Sequence, residues 1–216
     1  MIRLAQVRKS FAAAEGEAPL LEIGALRIEA GECVALLGAS GSGKTTLLNL
    51  VSGLVLPDAG LVEVEGVAVN ALSEPLRDRF RARTIGYVFQ SFHLLEGFSA
   101  LENVELGAAF TGRRVEPGRA KTLLEAVGLG HRLKHQPSQL SVGQQSRVAF
   151  ARALVNRPKV LLADEPTGSL DRATGATVLA LLLETARAEG VTLLCATHDA
   201  GVAAALDRSI VVEELS

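Results

Sequence analysis

Within GASGSGKTT, residues 38–46, small residues run directly into a lysine and two threonines. The pattern G-x-x-x-x-G-K-[ST] suits one chemistry, the grip of a phosphate chain. Gly38, Gly41 and Gly43 permit backbone angles that let several N–H groups converge on phosphate oxygens. Ser40 and Ser42 lie between them in the same loop. Lys44 brings positive charge to the β- and γ-phosphates. Thr45 offers a hydroxyl to Mg²⁺, and Thr46 reaches toward the α-phosphate.

Three more chemistry-bearing groups end apolar runs. VLLADE, residues 160–165, delivers Asp164 to the end of a buried strand, where a carboxylate can hold the Mg²⁺ shell. Glu165 follows and can deprotonate an attacking water. TIGYVFQ ends at Gln90, a neutral amide able to touch Mg²⁺ and that water. VTLLCATH ends at His198, within reach of a γ-phosphate. Taken singly, each has a plainer reading: turn acids, a solvated amide, a structural imidazole. The phosphate loop is what favours catalysis. His131 and His135 have the i, i+4 spacing of two zinc ligands, but no third ligand candidate accompanies them. A fourth stretch, LSVGQQSRVAFARAL at 140–154, begins with small and polar residues and turns amphipathic. It predicts a helix with a bare first turn, whose outward N–H groups attract an anion.

These groups need a scaffold that gathers strand ends. CVALLG (33–38), 84–90, 160–165 and 191–198 read as strands, and SIVVEEL (209–215) as a last one. Helices fit the run after Lys44, 171–188 and 199–206. Apolar strands interleaved with helices indicate an α/β fold with a mainly parallel sheet flanked by helices. IRLAQV, LEIGALRIEA and GLVEVEGVAV alternate instead, as in an N-terminal antiparallel β layer. Residues 91–157 break the rhythm: helices near 101–110, 117–127 and 142–156 predict an inserted helical lobe.

The 216 residues suit a single domain, and 48% hydrophobic content supplies a core. A net charge of −2 gives no support to a nucleic-acid partner. Cys33 and Cys195 sit in separate apolar runs, as thiols of a reducing compartment do. No signal-peptide pattern opens the chain, and no apolar run reaches the ~18 residues of a membrane span.

In this order the pieces resemble the ATP-binding cassette of ABC transporters: GASGSGKT, Gln90, LSVGQQ, VLLADEPTGSLD, His198. The likeness spans nearly the whole chain, and LSVGQQ about twenty residues before LLADE is its most specific part. It implies a P-loop NTPase core from 1–90 and 158–216, with the signature helix in the 91–157 lobe. It implies Mg-dependent ATP hydrolysis, with Glu165 as general base, His198 on the γ-phosphate, Gln90 linking Mg²⁺ to the lobe, and Phe11 against adenine. Two such ATPase subunits, in the simplest case a homodimer, would pack head to tail around two ATP. Ser141 and Gly143 would then meet the ATP held by the partner's phosphate loop, and residues 169–171 would cross between subunits. RTIGYVFQSFHLLEGFSALENVEL is similar to the branch that serves lipoprotein release and macrolide export, although amino-acid importers share much of it. The resemblance then implies an integral membrane permease docking near Phe92–Phe98, which would hold the chain at the cytoplasmic membrane face. One departure stands out: Val142 occupies a position where the signature usually has Gly. As an ordinary first helical residue, Val costs only a few tenths of a kcal/mol, so an active ATPase is expected.

Overall fold

In the computed structural model, residues 1–11, 20–109, 111 and 116–215 are described. The chain opens with β1 (Ile2–Ser10) and β2 (Leu20–Ile28), paired antiparallel. β3 (Cys33–Leu37) leads through the phosphate loop into α1 (Lys44–Ser52). β4 (Ala59–Val64) and β5 (Val67–Ala68) join β1 in a four-stranded sheet of order β2-β1-β4-β5. Then come α2 (Glu74–Thr84), β6 (Ile85–Val88), α3 (Ala100–Leu106), α4 (Arg119–Ala126) and α5 (Val142–Leu154). The chain returns through β7 (Val160–Asp164), α6 (Arg172–Glu189), β8 (Thr192–Ala196), α7 (Ala200–Ala204) and β9 (Arg208–Val211).

The second sheet runs β6-β7-β8-β3-β9, with every neighbouring pair parallel. Its centre reads as continuous apolar sequence because both faces are covered. Cys33, Ala35, Leu161, Ala163, Leu193 and Cys195 point to one core, shared with Val104, Leu124, Phe150 and Leu182 of the helices. Val34, Leu36, Leu162, Leu194 and Ala196 point to the other, shared with α1 and with Ile2, Leu4 and Ile28 of the antiparallel layer. The two-residue period of a strand thus divides the hydrophobic interior between two layers.

Several elements differ from expectation. The strand expected over 209–215 stops at Val211, and residues 212–214 turn as a 3₁₀ helix. The strand ending in Gln90 stops at Val88, which places Gln90 in a turn. α2 was not anticipated: it buries none of its residues, so EPLRDRFRART carries no apolar stripe to betray it. Its signals are the Ser73 entry and Pro75 in the first turn. His131 and His135, by contrast, lie in the loop between α4 and α5, as suits two histidines with no third ligand, and His135 Nε2 sits 2.7 Å from the Arg132 guanidinium.

Candidate active site

Register brings the chemistry to one edge. Leu36 of β3 and Asp164 of β7 both stand opposite Ala196 of β8, and Ala163 stands opposite Val88 of β6. The residues just beyond those levels are the phosphate loop, Glu165, His198 and Gln90. They converge because four neighbouring parallel strands end together, the usual ligand edge of an open α/β sheet. Together they line a cavity of about 500 Å³, walled by Ser40, Gly41, Gly43, Lys44, Thr45, Thr46, Gln90, Asp164, Glu165 and His198.

α1 begins at this cavity without a side-chain cap. Gly43, at φ 98°, supplies the left-handed turn into the helix that a Cβ would oppose. The first-turn N–H groups of α1 are therefore open to an anion, and the helix dipole favours one. Lys44 is buried, with Nζ donating to the carbonyls of Gly38 and Ala39, each at 2.8 Å. Its charge is held at the loop mouth in advance of any ligand.

Thr45 Oγ1 donates to Asp164 Oδ2 at 2.8 Å. Burial pushes the Asp164 carboxyl above its ordinary range; the Thr45 hydrogen bond opposes this, and nearby Glu165 adds to it. A half-compensated buried carboxylate beside a hydroxyl, with the Gln90 amide on the same cavity wall, is an all-oxygen donor set that fits Mg²⁺. Glu165 takes φ 45°, a strained angle for a residue with a side chain, and its N–H donates to Ala196 O at 2.9 Å. Its Oε1 lies 2.8 Å from His198 Nδ1. The pairing turns Nδ1 toward the carboxylate and leaves Nε2 for another partner.

Five expected ligand residues do not line this cavity. Gly38 and Ser42 belong to the loop but stay off the cavity lining: a Cβ on Gly38 would fall 2.3 Å from Ser42 Oγ and 2.8 Å from Glu213 Oε2. Phe11 is exposed, with Lys9 Nζ 5.7 Å from its ring centroid. Ser141 and Gly143 start α5 elsewhere, and that start is not bare. Ser141 Oγ accepts from Gln144 N at 3.3 Å, and Gln144 Oε1 accepts from Ser141 N at 3.0 Å, a reciprocal capping box. Ser141 and Val142 face solvent, but Gly143 is buried; a Cβ there would lie 2.5 Å from Thr174 Cγ2 on α6. Val142 is the first helical residue, 47% exposed, with no left-handed angle required of it.

The sequence also hid supporting residues. Glu213 reaches from the C-terminal turn to accept from Ala39 N at 3.0 Å, which holds its carboxyl below the usual range. Tyr87 on β6 donates to Asn49 Oδ1 on α1 at 3.1 Å. An acid near the end of the chain and a tyrosine in a strand carry no motif that points to these roles.

A family model for ABC transporters matches residues 21–168. The lipoprotein-releasing system ATP-binding protein LolD 2 of Caulobacter vibrioides is 47% identical over 216 residues, covering 99% of this chain and 95% of that protein. LolD of Xanthomonas oryzae pv. oryzae is 47% identical over 210 residues, covering 96% of this chain and 86% of that protein. Among solved structures, the ATP-binding cassette MJ0796, as a dimer in a post-hydrolysis state with ADP and Pi, superposes with TM-score 0.87 at 38% identity. The match covers 98% of this chain and 94% of that one.

Proposed function

This chain belongs to the ABC transporter family, and we propose that it is the ATPase subunit that powers lipoprotein release by a membrane permease. The observation that carries the catalytic part is the meeting of four strand ends on one cavity, with α1 uncapped at its wall. The triphosphate lies along the N–H groups of 40–46, and Lys44 neutralises its terminal phosphates. Thr45, Asp164 and Gln90 would hold Mg²⁺, which when bound would offset negative charge on the triphosphate. Glu165 accepts the proton of the attacking water, and His198 orients that carboxylate through Nδ1 while Nε2 faces the γ-phosphate. The α1 wall binds phosphate within one chain. Ser141 does not line the phosphate-loop cavity of its own chain, and the dimeric state of MJ0796 supports a second copy as the source of the ATP it meets. Two copies pack head to tail around two ATP; hydrolysis removes the phosphate that joins them.

The permease docks on an apolar groove of about 520 Å³ lined in part by Leu54, Ile85, Tyr87, Phe89, His93 and Arg152. Within the expected docking stretch, Phe92 is buried and belongs to the interior, whereas Leu95 (49%) and Phe98 (40%) stay exposed. Asn103 holds them out: its amide bonds the backbone of Leu95, Phe98 and Ser99. The permease holds the chain at the cytoplasmic face; no helix among the described residues is long and apolar enough to cross a membrane.

The test uses the purified chain with its permease in proteoliposomes carrying a lipoprotein. Glu165→Gln should retain nucleotide binding and lose both Mg-ATP turnover and release. Turnover equal to the unaltered protein would remove Glu165 from the mechanism. ATP turnover without release would reject the lipoprotein assignment alone.

A further inference from the structure

Gln90 reaches the cavity from a turn, not from a strand, and something must hold that turn. Phe92 N donates to Phe89 O at 3.0 Å, which closes the turn around Gln90 and Ser91. The next residues are strained: Phe92 has φ 58° and His93 φ 48°, consecutive left-handed angles on residues with bulky side chains. Such a pair persists only where its surroundings over-determine it.

Arg152, in the last turn of α5, is the group that does so. Its Nη2 donates to Phe92 O at 2.5 Å and its Nη1 to His93 O at 2.6 Å. The guanidinium fork thus grips both strained carbonyls with two parallel donors, a geometry an ammonium group cannot copy. Among the described residues no carboxylate pairs with Arg152, although burial disfavours its charge. The stem is fixed as well. A Cβ on Gly107 of the α3 terminus would lie 3.0 Å from Arg152 Cγ, and one on Gly86 of β6 would lie 2.3 Å from the neighbouring Ala153 O. The end of α5 is therefore seated against α3 and β6 at backbone contact. On the far side, Phe89 stacks on Tyr87 with centroids 4.0 Å apart and meets His93 edge-on at 5.0 Å.

We propose that Arg152 is a positioning residue for Gln90: it clamps the strained Phe92–His93 carbonyls and so ties the reach of Gln90 into the cavity to the placement of α5. This rests on the assignment of Gln90 to the ATP site. A shift of α5, which begins at Ser141, moves the clamp, and the turn either follows or opens. The two ends of one helix thereby address both halves of the hydrolytic site.

Steady-state ATPase assays of the full chain with its permease, run below the lowest melting temperature of the set, test the clamp. The variants are Arg152→Ala, Arg152→Lys, Gln90→Ala and the Arg152→Ala/Gln90→Ala pair, with ADP binding as the check on folding. Arg152→Ala is expected to lower kcat by about tenfold to a hundredfold with KM nearly unchanged, as for a displaced catalytic group. Arg152→Lys keeps charge and stem but not the fork, and should fall between; it also serves if the alanine variant does not fold. In the Gln90→Ala background, loss of Arg152 should cost little more. Additive losses in the pair, or lowered melting with kcat intact, overturn the clamp while Gln90 keeps its role. Full activity in Gln90→Ala overturns the Gln90 assignment and the clamp with it.

Discussion

Two helices in this protein begin next to residues that phosphate would choose, and they begin differently. α1 starts behind left-handed Gly43 with no side-chain cap, at the wall of a cavity that already holds Lys44, Thr45 and Asp164. α5 starts with its own capping box, Ser141 answered by Gln144, and with Gly143 pressed on Thr174. The first offers uncapped N–H groups that suit an anion from solution. The second is a finished helix start whose exposed Ser141 hydroxyl can turn to a ligand only if one is carried to it. Orphan N–H groups make an anion site; a cap makes a stable end that can lend one group to a neighbour.

Ser141→Asp breaks the comparison most sharply. Aspartate caps a helix as well as serine does, so melting should hardly change. A carboxylate set against the partner's phosphate should lower ATP turnover by about 10²-fold, the scale of one lost transition-state contact. Unchanged turnover in a coupled ATPase assay would return α5 to a purely structural part. Gly143→Ala should act on stability instead. Its Cβ would stand 2.5 Å from Thr174 Cγ2, so Thr174 must change rotamer or α5 must shift from α6, at a cost of about 1–3 kcal/mol in chemical denaturation.

Asp164→Asn probes the α1 side through pH. Burial raises the Asp164 carboxyl above its unfolded value, so the folded state binds the proton more tightly. Its contribution to stability is therefore greatest at low pH and is lost as pH rises from the usual carboxylate range through the raised value. The amide variant should melt higher than the unaltered protein near neutral pH, with the gap closing on acidification, and should lose turnover. A gap that widens in acid would show the carboxylate to be well compensated. Val142→Gly should be the mildest change. At an exposed first helical position with an ordinary angle, glycine should cost only a few tenths of a kcal/mol and leave turnover within about twofold.

The α/β alternation and the strand ends were legible because a parallel sheet buried on both faces writes itself as apolar runs, as in 33–37, 160–164 and 192–196. Lys44, Thr45, Gln90, Asp164, Glu165 and His198 could be placed together because each follows such a run. What could not be read depends on contacts distant in sequence or on an absent pattern. Gly143 meets Thr174 from the next helix, and Ala39 meets Glu213 from the opposite end of the chain. The docking stretch Phe92–Phe98 could not be divided from sequence: Phe92, in a left-handed turn, is interior, while Leu95 and Phe98 are exposed. α2 packs on the core through the partly buried Phe80 and has no fully buried residue, so periodicity had little to report.

Mixing two inactive variants tests the central claim, that each site takes its phosphate cradle from one chain and Ser141 from another. Lys44→Ala lacks the cradle and keeps Ser141; Ser141→Asp lacks the second contact and keeps the cradle. If the site is composite, ATP turnover that neither variant shows alone should return when the two are co-assembled with the permease, because one of the two sites in the mixed dimer is then intact. If one chain holds a whole site, the mixture should show only the average of the separate variants, and the account is contradicted.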